Sequence, residues 1–348
     1  MIGSAFKGLG RGFAESLFQS QASPFIGLFI GVLATGLIQS SSTTTSLVVG
    51  MVAAGTFGSD PELAVAAAVP YIMGANIGTS ITNTIVSLGH IVNREEFKRA
   101  FSASVVHDFF NILAVIIIFP LELIFGIISK FSIALSSLLV GTGGGTFTSP
   151  IKLITKPTVK WIEHLFQQQS IVEANALMLI AALAFLFFSL RSLTKLIKSL
   201  VMFRLQAFFD THIFRTTLRA MFFGVIITIL VQSSSITTSL VIPLAGAGIL
   251  NLRQIFPYTL GANIGTTVTS LLASMVSGTI APLAVALGHL SFNLLGIGLL
   301  WPIKRVREIP IHLAEWFSNL ATKNKIYPLL YLLIVFFLIP LSLISMVR

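Results

Sequence analysis

The sequence predicts an all-α polytopic membrane protein made of two inverted-topology repeats, each carrying a broken, re-entrant helical hairpin. Three observations lead there. The first is composition: of 348 residues, 55% are hydrophobic and 10% charged, with mean hydropathy +0.93. A soluble domain carries about 25% charged residues, so this chain cannot cover a water-facing surface, and most soluble enzymes are excluded. The second is the recurrence of apolar runs of ~20 residues, the length that crosses a bilayer. The third is that the same polar motifs occur twice, in the same order.

Taken in order, residues 1–23 have apolar positions Ile2, Phe6, Leu9, Phe13 and Leu17 at helical spacing, with Lys7, Arg11 and Glu15 among them. They predict an interfacial amphipathic helix, not a signal peptide. Residues 24–190 form the first repeat. Its spans 24–58 and 62–90 are interrupted by QSSSTTT (39–45) and GANIGTS (74–80), and 100–128 is more continuous. A Gly-rich turn at 141–145, a short amphipathic helix from Pro157 and a transmembrane helix at 173–190 follow. Residues 191–219 are a basic amphipathic connector. Residues 220–348 form the second repeat: 221–250 interrupted by QSSSITT (232–238), 254–276 interrupted by GANIGTT (261–267), a continuous span 281–303, an amphipathic piece from Pro310, and a last span 327–347. Trp161, Trp301 and Trp316 read as interfacial anchors, and Glu122, beside Pro120, as the mark of a helix end.

The duplication is specific. Residues 31–48 align with 224–241 at an offset of 193, 70–82 with 257–269 at 187, and His107-x-x-Phe110-Asn111 with His289-x-x-Phe292-Asn293 at 182. With loop 91–99 placed inside, the cytoplasmic segments hold fourteen Lys and Arg and the external ones seven. The positive-inside rule then puts the two halves in opposite orientations. That architecture belongs to secondary transporters, whose site lies near the midplane between discontinuous helices. The net charge of +10 therefore reads as topology and lipid contact, not nucleic-acid binding. The absence of cysteine excludes disulfides, thiolate metal sites and thiol catalysis.

Seven consecutive hydrogen-bonding side chains inside an apolar span must be met by something. Close helix packing through small residues is one answer. The other, favoured by two symmetric copies, is a helix break. Ser and Thr then cap a half-helix whose free N–H groups and positive dipole end face an anion. The anion donors would be Gln39, Ser40, Ser41, Ser42 and Thr43, with Gln232, Ser233, Ser234 and Ser235. Freed carbonyls and the hydroxyls of Thr44, Ser234 and Thr237 can ligate a hard monovalent cation. In GANIGT, glycine permits a second helix break, while Asn76, Asn263, Thr79 and Thr266 offer oxygens, as do Ser80 and Thr267. Many donors and almost no carboxylates suit a tetrahedral dianion neutralised by coupled sodium ions.

Asp108 lies inside a span, where a carboxylate is a functional hypothesis by default. Leu290 stands at the matched position of the second repeat. A cation ligand and a salt bridge near the interface are both open for it. Arg94 is the nearest fixed cation, either an anion-side residue or a topology charge paired with Glu95 or Glu96. Asn111 and Asn293 could reach the site. His107 and His289 read as packing or hydrogen-bonding residues, with no transition-metal site and no cofactor.

At these motifs the chain resembles the sodium–phosphate cotransporter family, the type II renal and intestinal carriers and their bacterial relatives. The duplicated QSSS, the paired GANIGT, and REEFKRAF (94–101) followed by HDFFN (107–111) carry the likeness, over residues 24–345. The resemblance implies inward symport of inorganic phosphate driven by sodium, in a multi-pass cell-membrane protein, a bacterial inner membrane being expected. It implies Arg94 as a phosphate-side residue, and Asn111, Asn263 and the second serine cluster as sodium ligands. Asp108 falls where electrogenic members carry an acid. The chain differs in Asn93 and His90, where the mammalian carriers have Asp and Gln, and is expected to lack their extra terminal helices, their disulfide loop and any regulatory domain. Expected partners are phosphate, sodium ions and the lipid bilayer, without nucleic acid; a homodimer is left open. Export of phosphate, or transport of another oxyanion such as sulfate, suits the same donors. A membrane hydrolase would need a base beside its serine, and neither cluster contains a histidine; a channel fits broken inverted repeats less well.

Overall fold

In the computed structural model, residues 23–139 (except 54), Pro157, 213–275 and 279–346 are described. The expected amphipathic helix at 1–23, the Gly-rich turn, the helix following Pro157, Trp161, the span 173–190 and most of the connector 191–219 fall outside these residues. The described part is helical: α1 Pro24–Ile38, α2 Ser41–Ala53, α3 Pro61–Gly78, α4 Ile81–Leu88, α5 Arg94–Phe125, α6 Ile127–Leu139, α7 Thr217–Val231, α8 Ser234–Gly246, α9 Leu252–Met275, α10 Ile280–Leu300 and α11 Lys304–Lys323. The last span comprises α12 Ile326–Leu333, a π-helical turn Ile334–Leu338, and α13 Ile339–Ser345. Among the described residues, four stretches are long and apolar enough to cross a membrane: Pro61–Leu88, Arg94–Phe125, Ile280–Leu300 and Ile326–Ser345. The protein is an all-α polytopic membrane protein.

Both QSSS breaks form, and capping explains them. The chain leaves α1 through Gln39 (φ 57°) and leaves α7 through Gln232 (φ 52°), the two non-glycine residues with positive φ among those described. Each glutamine N–H bonds back to a threonine carbonyl, Thr35 at 2.8 Å and Thr228 at 2.7 Å. The next helix then starts on a serine cap: Ser40 Oγ accepts from Thr43 N (3.2 Å), and Ser233 Oγ from Ile236 N (3.3 Å).

The second motif interrupts a helix in one repeat only, so the sequence expectation holds for the first copy and fails for the second. α9 runs unbroken through residues 261–267, and α3 ends only after Gly78, at right-handed Thr79 and Ser80. What is used is the missing Cβ. A Cβ on Gly74 would collide with the Leu28 carbonyl of α1, and one on Gly261 with the Met221 carbonyl of α7. A Cβ on Gly78 would stand 2.7 Å from Val32 O, and on Gly265 2.8 Å from Val225 O. Glycine at four-residue spacing thus lets α3 pack backbone to backbone on α1, and α9 on α7.

Helix α11 also differs from expectation. It starts six residues before Pro310, at Lys304, and carries the proline inside. Its apolar face lies on α5, with the Phe317 ring tilted against Phe101 (5.3 Å) and edge-on to Phe109 (6.2 Å). Glu122 does mark a helix end: α5 closes at Gly126 (φ 63°), and the carboxylate accepts from Ile128 N (2.7 Å), Ser129 N (3.2 Å) and Ser129 Oγ, capping α6.

Candidate functional site

The two half-helices α2 and α8 meet at their capped ends. Ser41 Oγ lies 3.3 Å from Ser234 Oγ, its own counterpart at the offset of 193. Both are buried, as are Ser42 and Ser235. Further along, matched residues reach into each other's half. Thr45 Oγ1 is 2.8 Å from Ser270 Oγ on α9, and Thr238 Oγ1 donates to Asn83 Oδ1 on α4 at 2.9 Å. Thr44 and Thr237 bond the Ser40 and Ser233 carbonyls at 3.2 and 3.0 Å. Gln39 Oε1 accepts from Thr82 Oγ1 at 2.8 Å.

Below this meeting point lies a buried crossed network. Asn76 Nδ2 donates to Asn293 Oδ1 (2.8 Å), and Asn263 Nδ2 donates to Asn111 Oδ1 (2.8 Å). His289 Nε2 stands 3.0 Å from Asn76 Oδ1, and His107 Nε2 2.7 Å from Asn263 Oδ1. Asn111 Nδ2 reaches the Asn76 carbonyl (2.9 Å), and Asn293 Nδ2 the Asn263 carbonyl (3.3 Å). Every one of these bonds has a mirror image made by the matched residues. The His reading as hydrogen-bonding residues holds in this geometry. Asn76 and Asn263, expected as cation ligands, have their amide oxygens facing histidine nitrogens. Thr79 and Thr266 bond the Ala75 and Ala262 carbonyls, both at 3.0 Å, leaving their oxygens able to accept.

Asp108 is fully buried on α5. Its Oδ2 accepts from Tyr331 Oη at 3.0 Å, and its Oδ1 has no hydrogen-bond partner among the described residues. A buried carboxylate oxygen without a partner is costly. Arg94 is not brought to the serine clusters: it is exposed on the first turn of α5 and forms no hydrogen bond or ion pair with a described residue. Neighbouring Asn93 caps α5, its Oδ1 accepting from Glu95 N (3.1 Å) and Glu96 N (3.3 Å), and His90 Nδ1 lies 3.4 Å from Glu96 Oε2.

Two clefts of about 450 and 440 Å³ occupy positions matched by the duplication. One is lined by Lys98, Arg99 and Asn251 with Glu315 and Asn319 of α11; the other, by Gly55, Gly58, Ser59 and Thr279–Pro282, lacks charge. Arg99 clamps the end of α8, donating to Gly246 O from Nε (3.1 Å) and Nη2 (2.8 Å). Ala281 is its counterpart.

Sequence reasoning missed Thr35 and Thr228. They are matched at 193, fully buried one turn before each break, and neither hydroxyl has a partner among the described residues. The signal was a threonine four residues before each QSSS glutamine.

Residues 1–143 and 184–322 match the Na+/Pi-cotransporter family. The chain belongs to that family. Human sodium-dependent phosphate transport protein 2B is 32% identical over 438 residues, covering 98% of this chain and 62% of the relative. The 2A protein of Ovis aries is 32% identical over 415 residues, and that of Rattus norvegicus 31% over 413, each covering 98% of this chain and 64% of the relative. The chain thus spans less than two thirds of the length of these relatives. No solved structure gives a significant match. Within this Na+/Pi-cotransporter chain, the duplicated motifs and the buried crossed network lie inside the matched residues.

Proposed function

We propose that the chain is a sodium-coupled symporter that imports inorganic phosphate by alternating access, a transporter and not an enzyme. Phosphate binds where α2 and α8 meet, near the membrane midplane between two inverted repeats. The observation that carries this reading is the meeting of two serine-capped half-helices at Ser41 and Ser234, 3.3 Å apart. Two positive helix ends converging on buried hydroxyls form an anion site without a fixed cation. The relatives' names, sodium-dependent phosphate transport proteins, supply substrate and coupling ion.

Gln39 to Thr43 and Gln232 to Ser235 are the phosphate donors. Arg94, exposed at the start of α5, is the phosphate-side cation. Sodium ions take hydroxyl and carbonyl oxygens from Thr44, Thr79, Ser234, Thr237 and Thr266, the amides of Asn76, Asn111 and Asn263 when the crossed network opens, and the free oxygen of Asp108. A sodium ion is a hard cation that accepts such oxygen ligands, and its charge offsets that of the dianion. The mirrored bonding of residues at offsets of 182 to 193 supports the repeat, and the excess of Lys and Arg in segments 91–99, 191–219 and 303–327 supports its inverted orientation.

The test is uptake of radiolabelled phosphate into proteoliposomes, with and without an inward sodium gradient, with sulfate as competitor. Sodium-dependent, sulfate-resistant uptake that disappears in the double variant Gln39→Ala, Gln232→Ala is the expected result. Uptake indifferent to sodium, or equally inhibited by sulfate, would refute the coupling or the substrate.

A further inference from the structure

We propose that Tyr331, on the last span, is a positioning residue that presents Asp108 to the incoming cation. The inference rests on the reading of Asp108 as a sodium ligand and names the group that aims it. Tyr331 Oη donates to Asp108 Oδ2 at 3.0 Å. One carboxylate oxygen is thereby held, and Oδ1 is left buried with no hydrogen-bond partner among the described residues, with the Ser80 hydroxyl close to the carboxylate. A carboxylate with neither oxygen tied could turn about its terminal torsion, which is broad and soft. With one tied, the other has a fixed direction.

Tyr331 is itself fixed. Its ring meets Phe317 of α11 edge-on at 5.0 Å and Phe336 at 5.6 Å. Phe336 lies in the π-helical turn Ile334–Leu338, and such turns concentrate at functional sites. The arrangement is not part of the duplicated scaffold, because Leu290 stands at the position matched to Asp108. The last span is thus tied through Tyr331 to Asp108 of the first half, a buried acid that caps no described helix.

The experiment measures phosphate uptake into proteoliposomes across a sodium titration. Wild type is compared with Tyr331→Phe, Asp108→Asn, the double variant, and Tyr327→Phe as a same-helix control. Phenylalanine keeps the ring packing, so the fold is retained; sodium-dependent thermal stabilisation in detergent gives a second readout that does not need transport. Tyr331→Phe is expected to raise the half-saturating sodium concentration about tenfold, the worth of one hydrogen bond to a charged group. The maximal rate at saturating sodium should stay within about twofold, a split that mere structural damage would not give. In the Asp108→Asn background the same change should have no further effect. Independent, multiplying effects would overturn the inference, as would a Tyr331→Phe titration identical to wild type beside a shifted Asp108→Asn. If Asp108→Asn also leaves the sodium titration unmoved, the assignment of Asp108 itself fails, and with it the inference.

Discussion

Replacing Gly261 by alanine should separate α9 from α7. The added Cβ would collide with the Met221 carbonyl oxygen, a backbone atom that no rotamer change can move. Normal carbon–oxygen contact needs ~3.3 Å, so the two helices must part by roughly an ångström along much of their contact. Overpacking of this kind costs typically 1–3 kcal/mol, and the rigid obstacle puts this case at about 3 kcal/mol. Gly298 on α10 is the control, since a Cβ there meets nothing within 4 Å. Alanine at that position should be neutral or stabilising by about 0.5 kcal/mol, from helix propensity alone. Thermal unfolding in detergent, followed by size-exclusion chromatography of the heated sample, reads the difference. The midpoint of Gly261→Ala should fall by several degrees and that of Gly298→Ala should not. Equal midpoints would refute the claim that these glycines are present for close approach.

Four further outcomes follow from the same geometry. Asn293→Ala removes the acceptor of Asn76 Nδ2 and the donor to the Asn263 carbonyl, two buried bonds; the loss should be about 2–5 kcal/mol in unfolding stability, and the mirrored Asn111→Ala should lose a similar amount. Thr35→Val and Thr228→Val remove buried hydroxyls that have no partner among the described residues, so sodium-free stability should be unchanged or rise by about 1–3 kcal/mol; a drop in the melting midpoint would mean that the hydroxyls are paired. Arg99→Gln should release the end of α8, raising protease sensitivity near Gly248 while leaving the Ser41–Ser234 contact in place, as a cross-link between cysteines introduced at 41 and 234 would report. Finally, Arg253 donates to Glu308 at 2.8 Å, and this bond holds the Glu308 carboxyl below its ordinary value of 4.5. A depressed carboxyl stabilises the fold above its unfolded value and loses that contribution as pH falls through the folded one. The melting midpoint should therefore drop more steeply below about pH 4.5 in wild type than in Glu308→Gln, though modestly, since Arg253 is 55% exposed.

How much of this was readable from the sequence divides along physical lines. The breaks at Gln39 and Gln232 were legible because capping is local: a glutamine followed by three serines inside an apolar run carries its own reason to leave the helix. The glycines were only partly read, for the converse reason. Gly74 and Gly261 are explained by carbonyls on another helix, and nothing within a few residues of them says which helix that is. The same limit hid Tyr331, an ordinary aromatic of a transmembrane span until Asp108 is placed beside it, 223 residues away in sequence. His107 and Asn111 were visible as a repeated motif, but their crossed partners were not, since offsets identify equivalent residues and not touching ones. Arg94 was singled out for its place in the sequence, and the described structure gives it an exposed position at the start of α5.

The crossed asparagines also bear on how the protein is made. Asn76 and His107 leave the ribosome long before Asn263, His289 and Asn293 exist. Until then the first-made half holds the Asn76 side-chain amide without its partners Asn293 and His289, while His107 keeps only its contacts with Ser80 and Asn111, and unsatisfied groups in lipid are costly. Its insertion cannot be complete when its last helix clears the translocon. The early half must wait, shielded by the insertion machinery or by water, for the late one to arrive. A substitution in the later half, such as at Asn293, should then betray itself first as degradation of a nascent membrane protein, before any defect in the mature one can be measured.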